Sequence, residues 1–214
     1  MINVTKQLRS PALCLIVDYS YVADALFEQR INDVIDGGID IIQFRDKNIS
    51  HEEFLVTGEK LKRNIQGRVL FAVNGDIKAA INLGADILHL PEISDNVTTI
   101  RETCKDRFMI GKSVHTIKSA TKAESEGVDY VTLGTIFDSN SKPGGLPSGT
   151  NLIESTVREV DIPVFAIGGI NTNNVRSVIL AGAYGVAVIS AISGERDQKS
   201  ATIAIKTAMN ETIN

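Results

Sequence analysis

Apolar residues along this chain gather into short runs, and between the runs they recur every three or four positions. The runs at 12–17, 68–73, 109–114 and 162–167 have the length of buried strands. Four more runs share one lead-in, a Gly, a small or apolar residue, then a polar residue or Tyr. These are Gly38-Ile39-Asp40-Ile41-Ile42, Gly84-Ala85-Asp86-Ile87-Leu88, Gly127-Val128-Asp129-Tyr130-Val131 and Gly182-Ala183-Tyr184-Gly185-Val186. Each Gly sits where a helix should close in the left-handed conformation, and each apolar stretch after it reads as a strand. The lead-in returns at intervals of roughly 45 residues, a spacing that marks repeated supersecondary units. Helical spacing fills 21–36, 51–65, 76–83, 96–107, 117–126, 151–159, 173–181 and 199–212.

Eight strand-then-helix units predict a single (β/α)₈ TIM barrel spanning residues 1–214 as one domain. A doubly wound open sheet is the structural rival. It would want a Gly-rich first turn, and Asp18-Tyr19-Ser20 is not one. No linker, low-complexity tract or charge block divides the chain.

Composition narrows the function. Aromatic residues make up 5% and Trp is absent, which argues against a base-stacking nucleic-acid platform. The formal charge of −4 argues against non-specific DNA binding. It leaves a phosphate ligand open, because backbone N–H groups at helix N-termini hold anions whatever the net charge. Cys14 lies in an apolar run and Cys104 in a helical one, so both read as buried reduced thiols. Residues 1–10 lack an apolar signal core and no run reaches membrane-spanning length, so a soluble cytoplasmic protein is expected.

Barrels of this kind carry chemistry at the C-terminal ends of their strands, and residues two apart share a face. Gln43, Arg45 and Lys47 therefore face together, with Phe44 turned to the helices. Asn74 stands above the small Ala72, and Gly111, Ser113 and His115 line the inner face of strand five. A cation, two amides, a hydroxyl and an imidazole converge. The plainer readings are that Arg45 pairs with Asp46 and that His115 caps the helix from Thr116. His51 reads as solvated surface, and His89, followed by Pro91, as either packing or support behind the site.

The loops after strands seven and eight carry Gly168-Gly169 and Ser190-Ala191-Ile192. In these barrels such loops hold phosphate between backbone N–H groups and a short helix N-terminus. The plain reading of Gly-Gly is a tight turn. A long polar loop at 138–149 reads as a lid whose Ser139, Ser141 and Lys142 clamp a second anion, or as a structureless tip.

These residues resemble the thiamine phosphate synthase and thiazole tautomerase family almost from end to end. The resemblance rests on Gln43 through Lys47, Asn74, Gly84-Ala85-Asp86 with His89-Leu90, Gly111 through His115, Phe137 through Pro143, Ala166 through Ile170, and Val188 through Ile192. The synthase branch implies Mg²⁺ and an Asp directly after the strand-three Asn, where this chain has Gly75. The second implied Asp aligns with Ser94, and Asp95 is one residue out of register. Mg²⁺ wants carboxylate oxygens in tight octahedral geometry, so these departures point to the tautomerase branch, with its Asn-Gly, Leu-Pro and Ser-Val-His.

The resemblance thus implies a thiazole tautomerase that moves a proton within a carboxythiazole phosphate and needs no cofactor. His115 would be the general acid/base and Arg45 and Lys47 would hold the substrate carboxylate. The alternative is the Mg²⁺-dependent synthase, which joins hydroxymethylpyrimidine diphosphate to thiazole phosphate. Ser139, Ser141 and Lys142 keep much of that branch's diphosphate-binding pattern. A non-catalytic regulatory barrel is the reading from another class. The expected partner is a small phosphate ester, not nucleic acid or membrane, and homo-oligomerisation stays open.

Overall fold

A computed structural model describes residues 8–94, 96–139 and 147–211. The chain runs β1 (Ala12–Val17), α1 (Tyr19–Ala23), α2 (Phe27–Asp36), β2 (Ile41–Phe44), α3 (His51–Ile65), β3 (Leu70–Asn74), α4 (Ile77–Asn82), β4 (Ile87–Leu90) and α5 (Val97–Cys104). It continues β5 (Met109–Val114), α6 (Ile117–Ser125), β6 (Tyr130–Gly134), α7 (Gly149–Val157), β7 (Val164–Ile167), α8 (Val175–Leu180), β8 (Gly185–Val188), α9 (Ser190–Ser193) and α10 (Gln198–Asn210). The strands close in sequence order, β1 pairing with both β2 and β8, and every pair is parallel. This is the (β/α)₈ barrel expected from the spacing, and the doubly wound sheet is excluded.

Alternation along each strand builds two apolar layers. Leu13, Leu15, Ile42, Phe44, Val73 and Leu88 face outward beneath the helices. Ala12, Cys14, Ile41, Ala72, Ile87 and Phe165 face inward. Tyr130, Phe165 and Tyr184 stack across the interior with ring centroids 5.3 and 5.9 Å apart. They plug the barrel below the strand ends, so the space above them is a cup with a floor.

The repeated lead-in has a structural purpose at the opposite, N-terminal rim. Its glycines take positive φ, 93° at Gly38 and 89° at Gly127. The Asp after each of the first three reaches sideways to the preceding strand. Asp40 accepts from Leu13 N–H at 2.7 Å, Asp86 from Phe71 N–H at 2.9 Å and Asp129 from Ile110 N–H at 2.6 Å.

One expected helix, 21–36, is two. Asp24 leaves helical geometry and its side chain accepts from Leu26 N–H at 2.7 Å, the local bonding by which Asp competes with a helix. Helix α3 matches its expectation, opened by Ser50 and Glu53 in a reciprocal cap. Cys14 and Cys104 are buried and free, as expected. No helix among the described residues is long and apolar enough to cross a membrane.

Candidate active site at the strand ends

A cavity of ≈ 1100 Å³ opens at the C-terminal end of the barrel. Gln43, Arg45 and Lys47 enter it from β2, with Gln43 buried and both cations beyond the strand end. Asn74 closes β3 and Ser113 and His115 come from β5, each lining the cavity as alternation required. The Asp46 carboxylate does not serve Arg45. It accepts instead from Tyr19 N–H at 3.0 Å and Asn48 N–H at 2.7 Å, bracing the turn that presents both cations.

His115 does not cap α6, because Thr116 does so through its own hydroxyl. Its Nδ1–H donates to the Gly134 carbonyl. A carbonyl only accepts, so the neutral ring carries its proton on Nδ1 and leaves a lone pair on Nε2. That nitrogen stands 3.7 Å from Glu92 Oε2, beyond hydrogen-bond range. Glu92 follows directly on the Leu90-Pro91 end of β4, and the sequence reading passed over it.

His89 does more than pack. Buried below the strand ends, it takes Tyr130 Oη at 2.9 Å on Nδ1 and Ser113 Oγ at 3.0 Å on Nε2. Burial, and after it the nearby Arg45 guanidinium, lowers the imidazole pKa to about 4, so the ring is neutral at physiological pH. Tyr130 was missed as a functional residue, although alternation along β6 turns Tyr130 and Thr132 inward. His51 is not plain surface either: Nδ1 lies 2.7 Å from Asp76 Oδ2 at the cavity mouth.

From the loops after β7 and β8, Gly168, Gly169, Ser190 and Ala191 line the cavity. A Cβ on Gly168 would meet Thr135 Cγ2 at 2.5 Å, and one on Gly169 would meet the Asp138 carbonyl at 2.2 Å. The glycines thus let the β7 turn press against the loop after β6. Ser190 and Ala191 open the first turn of α9, where intrahelical bonding leaves N–H groups without carbonyl partners. Ile192 is a correction. Its side chain is fully buried beneath the helix and its N–H donates to the Ile189 carbonyl at 3.1 Å, so neither faces a phosphate. Ser139 lines the cavity, while Ser141 and Lys142 lie outside the described residues.

Among the described residues at the mouth, the positions expected to hold Mg²⁺ do not fit it. Gly75 offers no side chain. Asp76 gives Oδ1 to Ala79 N–H at 2.8 Å and Oδ2 to His51. Among the described residues no three His, Cys, Asp or Glu side chains gather as a metal site, and Asp95 lies outside them.

The profile described as thiamine monophosphate synthase matches residues 13–192. A thiamine-phosphate synthase of Fusobacterium nucleatum is 35% identical over 195 residues, 91% of this chain and 95% of that protein. The thiamine biosynthesis bifunctional protein ThiED of Geobacter sulfurreducens is 38% identical over 182 residues, 85% of this chain but only 37% of that longer protein. Among solved structures, a thiamine phosphate pyrophosphorylase from Pyrococcus furiosus has a TM-score of 0.85 at 29% identity, covering 99% of this chain and 100% of that one. These relatives overturn the expectation of a tautomerase. That expectation leaned on Asn74-Gly75, Leu90-Pro91 and Ser113-Val114-His115, whereas the likeness to synthases is spread over the whole barrel.

Proposed function

The chain belongs to the thiamine monophosphate synthase family, and from that premise we propose that it is a thiamine-phosphate synthase. It would join a pyrimidine carried on a diphosphate to a thiazole phosphate. The thiazole ring nitrogen bonds to the methylene carbon of the pyrimidine, the carbon–oxygen bond to diphosphate breaks, and diphosphate leaves with the electron pair.

One observation carries this reading: the cavity is lined by anion-receiving groups from two sets of strand ends, with neutral polar groups on the same lining. Arg45 and Lys47 follow β2, and the Gly168-Gly169 turn with the Ser190 and Ala191 N–H groups lies after β7 and β8. Charge on a departing diphosphate is best met by cations that hold still, and the turn braced by Asp46 keeps both in place. Gln43, Asn74 and Ser113, which line the same cavity, would hydrogen-bond the rings. His115 would exchange a proton with bound substrate through Nε2. Ser139 would close over the diphosphate from the β6 side. Because the described residues do not fit Mg²⁺, no step is assigned to the ion. Small phosphate esters and two reduced thiols suit a cytoplasmic setting.

The purified full chain, given the pyrimidine diphosphate and thiazole phosphate, should form thiamin phosphate and diphosphate in equal amounts. The assay is run both with Mg²⁺ and with EDTA. No thiamin phosphate in either condition would sink the proposal.

A further inference from the structure

Low on the cavity lining runs a chain of three polar groups, Tyr130, His89 and Ser113. Tyr130 and His89 are 4% and 2% exposed, so the bond between them is largely shielded from solvent. Tyr130 reaches His89 only because β5 carries Gly111 beside it, where a Cβ would stand 2.1 Å from Tyr130 Cζ. Ser113, at the other end, is half-buried and lines the cavity.

The bonds can run in two directions. If His89 Nδ1–H donated to Tyr130 Oη, the phenol proton would be left buried with no partner among the described residues. An unmet buried donor of that kind is costly. If instead the phenol donates to Nδ1, the ring proton sits on Nε2 and donates to Ser113 Oγ. Every buried donor then has an acceptor. The Ser113 oxygen is engaged from below, so its own proton must turn toward the cavity.

We infer that Tyr130 is a positioning residue: it fixes the Nε2–H tautomer of His89 and so presents the Ser113 hydroxyl to bound substrate as a hydrogen-bond donor. Two conditions keep the arrangement constant across ordinary pH. Burial holds the phenol well above its usual range, so it keeps its proton, and the lowered imidazole stays neutral. The inference rests on the cavity being the synthase site, but its first test does not.

The test is ¹⁵N–¹H correlation spectroscopy on the full chain with labelled histidine at neutral pH. There are three histidines, and the His89 signals are identified by their loss in His89→Gln. Wild-type His89 should be the Nε2–H tautomer, and in Tyr130→Phe that tautomer should lose its dominance. An Nδ1–H ring in the wild type, or an unchanged tautomer in Tyr130→Phe, overturns the inference whatever the protein catalyses. In the synthase assay Tyr130→Phe should lower kcat about tenfold with KM little moved, the scale of one hydrogen bond. The same substitution should cost nothing further in a Ser113→Ala background. A full tenfold loss there would show that Tyr130 does not act through Ser113.

Discussion

His89 is folded as a neutral ring, and that fact should be visible in stability as well as in chemistry. Its pKa falls from 6.5 to about 4, chiefly by burial, so between those values the unfolded chain takes up a proton that the native state refuses. The sign follows: the contribution is complete above pH 6.5 and is lost as pH falls toward 4, about 3 kcal/mol in all at 1.36 kcal/mol per unit. Urea unfolding at pH 7 and pH 4.5 should show this loss, and His89→Gln should flatten it. Equal slopes in the two proteins would mean the ring is charged when folded. Arg45 carries the second prediction at this scale. Arg45→Ala should raise KM for the pyrimidine diphosphate about 10- to 100-fold, the size of a lost charge-assisted bond, and leave KM for thiazole phosphate unchanged. A rise for thiazole phosphate instead would exchange the two ends of the cavity. The sequence made Arg45, Asn74 and Ser113 legible because alternation is a rule within one strand. Tyr130 and His89 were not legible as a pair, because their contact depends on a side chain missing from the strand between them.

At the scale of elements, the repeated lead-in shows why the barrel could be read from its sequence at all. Gly ends the helix, one residue passes, and an Asp ties the next strand to the one before. Asp40 and Asp129 also hold Lys206 and Arg101, but Asp86 makes only the bond to Phe71 N–H among those found for its side chain. Asp86→Ala is therefore the clean experiment. It leaves a part-buried amide unmet and should cost about 1–3 kcal/mol by denaturant unfolding, with kcat and KM unchanged. A loss of activity at equal stability would show that the N-terminal rim communicates with the strand ends. In the fourth unit Tyr184 stands where the Asp would be and bonds the Leu8 carbonyl at 2.7 Å, so the repeat closes on the entering chain. The break at Asp24 escaped prediction for a local reason. Apolar spacing continues across it, and only the Asp side chain bonding its own backbone interrupts the helix.

The whole molecule carries a formal charge of −4 yet brings the groups proposed to bind anions together at one end, because parallel strands deliver all their C-terminal ends to one cavity. That architecture was legible, being set by a period repeated along the entire chain. The branch of the family was not, because a few motif positions weighed against a likeness that only whole-length comparison measures. What distinguishes a joining enzyme from one that rearranges a single substrate is that two anions must be held at once. Inorganic diphosphate and thiazole phosphate should therefore each raise Tm alone and raise it additively together. At a hundred times its Kd each ligand adds about 2.7 kcal/mol, or roughly 5–10 °C for a chain of this size. Arg45→Ala should remove most of the diphosphate increment and leave the other. If the two ligands together give only the larger single shift, they compete for one subsite, and a reaction that requires both cannot take place in this cavity.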